Sequence, residues 1–184
     1  MIFNVHEIGS NFDVFVSFET MNNRGKPLSN LELLKDRLIY LSVLFNDANL
    51  RSDITEAWKE IYKRLAQNPD ELIDDDEFLR AHWITYFGAP QKKQREDISF
   101  LMKHFSPRNI EGFITAQPSN DIITAAHVKA YVESLKDFAK FYVFTYFPNL
   151  IDSANNLSAE EKIQLFFLNQ LGLRYFRPLL MVAC

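Results

Sequence analysis

Ser29-Asn30-Leu31-Glu32-Leu33-Leu34-Lys35-Asp36-Arg37-Leu38-Ile39-Tyr40-Leu41 is the stretch that decides the fold class. Ser29 and Glu32 form a Ser-x-x-Glu capping box, which satisfies two otherwise orphan backbone donors at a helix start. Behind it Leu31, Leu34, Leu38, Leu41 and Phe45 recur at three- and four-residue steps, the signature of one apolar helix face. The spacing predicts a helix over about residues 30–45.

Outward toward the C-terminus, the same grammar repeats. A second helix is expected to start at Asp53, with Glu56 in the reciprocal position and Trp58, Ile61, Tyr62 and Leu65 on one face; Asn68-Pro69 ends it. A third starts in Asp74-Asp75-Asp76-Glu77, where negative charge suits the positive end of the helix dipole, and Gly88 is its C-cap. A fourth is expected over about residues 95–104, carrying Ile98, Leu101 and Met102. Residues 106–122 are the least patterned. A long helix follows over about 124–147, with Val128, Tyr131, Val132, Leu135, Phe138, Phe141 and Tyr142 on its apolar side and Pro148 as its stop. Ser158 and Glu161 form a second capping box, and Ile163, Phe166, Phe167 and Leu171 continue the apolar stripe. The last segment, Leu179-Leu180-Met181-Val182-Ala183-Cys184, has no C-cap signal and reads as a chain cut inside a helix.

Outward toward the N-terminus, the period changes. Phe12, Val14, Val16 and Phe18 alternate with polar neighbours, and Phe3, Val5 and Ile8 lead into them. Two short strands fit this pattern. Two strands alone are marginal in water, so their sheet is expected to be completed by segments outside this chain.

The 184 residues are 47% hydrophobic and 24% charged, a globular composition able to bury roughly 70% of its unfolded surface. Five Gly against seventeen Phe favours helices over a turn-rich β-fold. A net charge of −4 argues against a protein that coats nucleic acid by bulk charge. The single Cys excludes an internal disulfide framework and fits a reducing, cytoplasmic setting. No apolar run reaches the ~18 residues of a membrane span, so no membrane partner is expected.

Several groups of residues carry chemistry. Phe18-Glu19-Thr20-Met21-Asn22-Asn23-Arg24-Gly25-Lys26-Pro27-Leu28-Ser29 is a strand end, a polar turn and a capped helix start. Such an arrangement offers backbone N–H groups, a helix dipole and two cations to an anion. A plain strand-to-helix connection accounts for the same residues, and geometry alone favours it. Lys92, Lys93 and Arg95, extended by Arg80 and Lys103, are candidate phosphate contacts, with a solvated surface as the simpler reading. His6, His82, His104 and His127 share no metal-ligand spacing. His82, beside Trp83 on an aromatic helix, is expected to pack rather than catalyse. Tyr142, Phe144, Tyr146 and Phe147 lack a sheet platform and read as core rather than a base-stacking surface.

The string from Phe18 resembles the Phe-Glu-x-x-Asn-x-Arg-Gly-x-x-Leu segment of the GmrSD-type restriction endonuclease family. Phe18, Glu19, Asn22, Arg24, Gly25, Leu28, Leu33, Leu34 and Lys35 carry the likeness. Asp76-Glu77-Phe78-Leu79-Arg80-Ala81-His82-Trp83-Ile84 is similar to a second stretch of such proteins, Phe-Leu-Arg-x-x-Trp. The resemblance implies a ParB/sulfiredoxin-like nucleotide-handling core with a large helical extension. It implies a phage-defence parent that cleaves modified DNA under NTP and divalent-metal control. By that likeness Glu19, Asn22, Arg24 and Gly25 border the nucleotide pocket. Arg24 would pair with a phosphate, and Gly25 would let the backbone approach.

The family's Asp-Gly-Gln-Gln-Arg signature is absent from the sequence, and so is a His-Asn-His nuclease half. The chain alone is therefore expected to hydrolyse nothing and to hold no cofactor. The alternative is a non-enzymatic helical interaction module.

The fold expected is mainly α: an irregular bundle of about six to eight helices with two short N-terminal strands. Residues 1–29 would be the remnant of the ParB-like core and 30–184 the helical domain. Its expected partners are self-association or the segments outside this chain, with DNA reached through the parent.

Overall fold

A computed structural model describes residues 28–68, 72–88, 97–110, 122–149, 158–172 and 176–183. They form seven α-helices: α1 Asn30–Leu44, α2 Ala48–Leu65, α3 Asp75–Phe87, α4 Asp97–His104, α5 Ala125–Tyr146, α6 Ala159–Gln170 and α7 Arg177–Ala183. The mainly α expectation holds among the described residues. Both expected N-terminal strands lie outside them.

α1 starts where the capping box places it. Glu32 N–H donates to Ser29 Oγ (3.3 Å) and Ser29 N–H donates to Glu32 Oε2 (3.2 Å). Its stripe is the centre of the molecule, with Leu31, Leu34, Leu38 and Leu41 all 0% exposed. α1 touches α2, α3, α4 and α5. Each buried leucine contributes ~1.5–3 kcal/mol, so Leu34→Ala alone should cost ~2–5 kcal/mol. Trp58 of α2 is buried against α1, and its indole N–H donates to the Leu31 carbonyl (3.2 Å).

α2 begins five residues before the expected Asp53. The α1–α2 connection is only Phe45-Asn46-Asp47, with Asn46 in the left-handed region (φ 53°) that Asn tolerates. Asp47 then caps α2 through Leu50 N–H (2.9 Å). Asp53 is left on the helix surface, where it pairs with Lys129 of α5 (2.9 Å). α2 also ends earlier than expected, at Leu65 rather than at Asn68.

α5 is the longest helix, and its contact with α2 is the most extensive in the bundle. Val128, Tyr131, Val132, Leu135, Phe138 and Tyr142 are buried as the periodicity predicts, whereas Phe141 is 42% exposed. Of the aromatics near its end, Tyr142 and Phe144 are buried, and Tyr146 and Phe147 pack half-buried against the core. α6 departs most from expectation. Its capping box forms as predicted, but none of its described residues is buried, and Ile163, Phe166, Phe167 and Leu171 are 49–70% exposed. The stripe continues in sequence and not in the core.

Asn169 of α6 closes the end of α5, donating from Nδ2 to the carbonyls of Thr145 (2.8 Å) and Tyr146 (3.1 Å). Arg177 opens α7, donates from Nη2 to Asn169 Oδ1 (3.1 Å) and lies 3.3 Å over the centre of the Tyr146 ring. The Tyr146 hydroxyl in turn donates to Glu77 of α3 (3.0 Å). One latch thus joins α3, α5, α6 and α7, with a cation at the negative end of α5.

Candidate functional site

The two sequence strings that carry the family resemblance meet at one corner. α1 starts on the first string and α3 on the second. Asp76 lies in the first turn of α3, and its carboxylate accepts from the Asn30 backbone N–H (2.7 Å) and from Asn30 Nδ2 (3.1 Å). The Leu31 N–H also turns toward this carboxylate. Burial pushes the Asp76 carboxyl above its ordinary value. The Asn30 amide pulls it down, and Asp75 and Asp74 add to the push. Asp74 caps α3 through Glu77 N–H (2.8 Å), and Gly88 closes it in the left-handed region (φ 59°).

This corner agrees with the plain connection that geometry alone favours at the start of α1. The start of α1 does not offer its N–H groups to a phosphate, because Ser29 and Asp76 already occupy them. A carboxylate sits where the anion was expected, and a second anion beside it would be repelled. A nucleotide role therefore rests on the turn residues themselves. Glu19, Asn22, Arg24 and Gly25 lie outside the described residues, as do the candidate DNA contacts Lys92, Lys93 and Arg95.

At the other end of α3 the bundle opens into an aromatic cleft of about 310 Å³. α3 supplies Tyr86 and Phe87, and the end of α4 supplies His104 with Phe105. Ile122 and Ile123 form the third side, and His127, Ala130 and Tyr131 of α5 the fourth. Asn109 holds these walls together. Its side chain donates to the Lys103 and His104 carbonyls (both 2.8 Å), and its own carbonyl accepts from Ile123 N–H (2.8 Å). His127 belongs to a capping box with Thr124. Its Nδ1 lies 3.1 Å from the Ile122 carbonyl and 3.4 Å from the Thr124 N–H, and one tautomer can serve only one of them.

The rings interlock. Tyr131 stands edge-on to Tyr86 (5.1 Å between centroids, 86°) and packs on Phe105 (4.8 Å). Behind them lies His82, buried, stacked on Tyr86 (5.4 Å) and edge-on to Tyr131 (5.1 Å). His82 Nε2 is 3.1 Å from Ser134 Oγ. Desolvation lowers its pKa to about 3, so the ring is neutral at physiological pH. His82 is a packing residue, as its aromatic setting in the sequence implied. The Tyr131 hydroxyl is different. Tyr131 is 1% exposed and its hydroxyl has no hydrogen-bond partner, an uncommon state for a buried donor. No sequence pattern marks this cleft, whose walls come from three separated segments, 86–87, 104–105 and 122–131. No group of three His, Cys, Asp or Glu able to hold a metal occurs among the described residues, and none of their helices is long and apolar enough to cross a membrane.

No protein-family model, no curated protein and no solved structure matches this chain.

Proposed function

We propose that this chain is the helical body of a GmrSD-like, nucleotide-dependent restriction protein acting on modified phage DNA. The supporting observation is the Asn30–Asp76 corner. Asn30 and Asp76, 46 residues apart and each within a string similar to the same family, are bonded side by side at the starts of α1 and α3. The corner would fix the helix onto which the Asn22–Gly25 turn leads. Its task is positioning, because the donors of α1 are already used. NTP and metal would be handled by the ParB-like core and DNA cleavage by a nuclease half, and this chain would carry Arg24 toward the phosphate.

The test is plating efficiency of a phage with modified bases, against the same phage with unmodified DNA, on cells expressing the gene at its native locus. Restriction confined to the modified phage, and lost in Arg24→Ala, is the expected result. Equal plating of both phages refutes the reading.

The exposed apolar face of α6 favours the second reading, a helical interaction module. There, native mass would depend on concentration, and Phe167→Glu with Leu171→Glu would abolish that dependence. A mass that stays monomeric at all concentrations removes self-association from this reading.

A further inference from the structure

We propose that the exposed apolar face of α6 is the docking site for residues 12–18 of the same chain, through Phe12, Val14, Val16 and Phe18. The inference goes beyond both readings above and rests on neither.

The face comes first. Ile163, Phe166, Phe167 and Leu171 are 49–70% exposed, and Phe176, next to the Asn169-bound Arg177, is 48% exposed. The three half-exposed Phe alone leave ~300 Å² in water, at ~200 Å² per aromatic ring. A contiguous apolar patch of a few hundred Å² marks a surface that something covers.

Reach comes second. α1 begins at the Asp76 corner. Glu77, the next residue of α3, accepts from the Tyr146 hydroxyl, and the Tyr146 carbonyl accepts from Asn169 of α6. The chain ahead of Leu28 therefore joins the bundle at the end where α6 finishes. Phe18 and Leu28 are ten steps apart, a span of at most ~33 Å. The far end of the face, Ile163, lies only ~9 Å along α6 from Asn169.

Pattern comes third. Period two puts Phe12, Val14, Val16 and Phe18 on one side of a segment ~20 Å long, at ~3.3 Å per residue. That length covers the ~12 Å between Ile163 and Leu171, and it leaves the hydrogen-bonding edges of the segment free for sheet partners. The other stretches outside the described residues fit less well. Residues 89–96 carry Lys92, Lys93 and Arg95, residues 111–121 join Ile110 to Ile122 beside the cleft, and residues 150–157 hold apolar groups at no regular period. A second copy competes at a disadvantage, because a short tether presents its segment at an effective concentration of ~1 mM, well above that of a micromolar protein.

The experiment puts the photo-crosslinker p-benzoylphenylalanine at position 167 of the full 184-residue chain, irradiates it at micromolar concentration and maps the adducts by mass spectrometry. The major adduct outside α6 itself is expected within residues 12–18, in the monomer band. Val14→Glu with Val16→Glu should lower its yield at least tenfold while helix content is kept. Should that pair fail to fold, Phe12→Ser alone should lower the yield about threefold. A major adduct on a second chain, on any other part of this chain or on no residue at all overturns the proposal. An adduct on residues 12–18 whose yield the folded variant leaves unchanged overturns it equally.

Discussion

Tyr131 and Tyr142 lie on the same helix, both buried, and the structure assigns opposite signs to the same substitution at the two positions. In Tyr131→Phe the ring keeps its contacts with Tyr86, Phe105 and His82. What is lost is a hydroxyl with no partner, which costs the native state ~1–3 kcal/mol of desolvation. The space left by one oxygen gives back only a few tenths, at ~24 cal/mol per Å³. A net gain of about 1–2 kcal/mol follows, or roughly 2–8 °C in Tm for a chain of this size. Tyr142 instead pairs with the Tyr146 hydroxyl (3.4 Å), which has Glu77 as its acceptor. Tyr142→Phe removes a real bond but leaves Tyr146 bonded, for a loss of about 0.5–1 kcal/mol. Urea unfolding of the two variants and the parent at pH 7, with equal m-values, measures both. Destabilisation by Tyr131→Phe equal to or greater than that by Tyr142→Phe refutes the reasoning.

Two pH predictions follow from the buried titratable groups. Because the His82 pKa is lowered to about 3 from 6.5, the unfolded chain takes up a proton first; stability should fall as pH drops from 6.5 toward 3, by at most on the order of 4–5 kcal/mol from this group. Denaturation midpoints across that range should show a shallower slope in His82→Phe, and an unchanged slope counts against a neutral buried ring. Asp76 works in the other direction, since its folded value is raised: its favourable term is full below the ordinary 3.8 and is lost as pH rises through the raised value. Asp76→Asn should therefore gain stability relative to the parent as pH rises from below the ordinary 3.8 through the raised value, and a constant difference between the two sinks this sign.

The parts of the fold legible in the sequence are those written in local chemistry. Ser29 with Glu32, Asp74 before its acidic turn, Thr124 and Ser158 all mark helix starts, because a side-chain oxygen three residues before an amide is a short-range device. α2 starts at Ala48 and not at Asp53 for a related reason. Asp47 has Leu50 at the reciprocal position, whereas Asp53 has Glu56, so the weaker local pattern won through Asn46, whose positive φ permits a tight reversal. The His127 imidazole stands where a Glu or Gln is ordinarily sought. Burial on α6 was not legible at all, since periodicity marks an apolar face and says nothing about what covers it. The corner at Asp76 and the cleft at Tyr131 are long-range arrangements. No spacing rule connects Asn30 to Asp76, or Tyr86 to Ile122, until the helices are packed.

The latch made by Glu77, Tyr146, Asn169 and Arg177 also has a bearing on the order in which the molecule is made. α1, α2 and α3 can collapse on one another once residue 87 has left the ribosome, but α7 docks on α3 and α5 only after residues 177–183 emerge. At ~5–20 residues per second, the interval between these events is roughly 5–20 s. Throughout it the Glu77 end of α3, and later the Tyr146 end of α5, lacks its α7 partner. A nascent chain stalled in that window presents unfinished apolar surface, which makes translation speed across the second half of the chain a determinant of how much native protein accumulates.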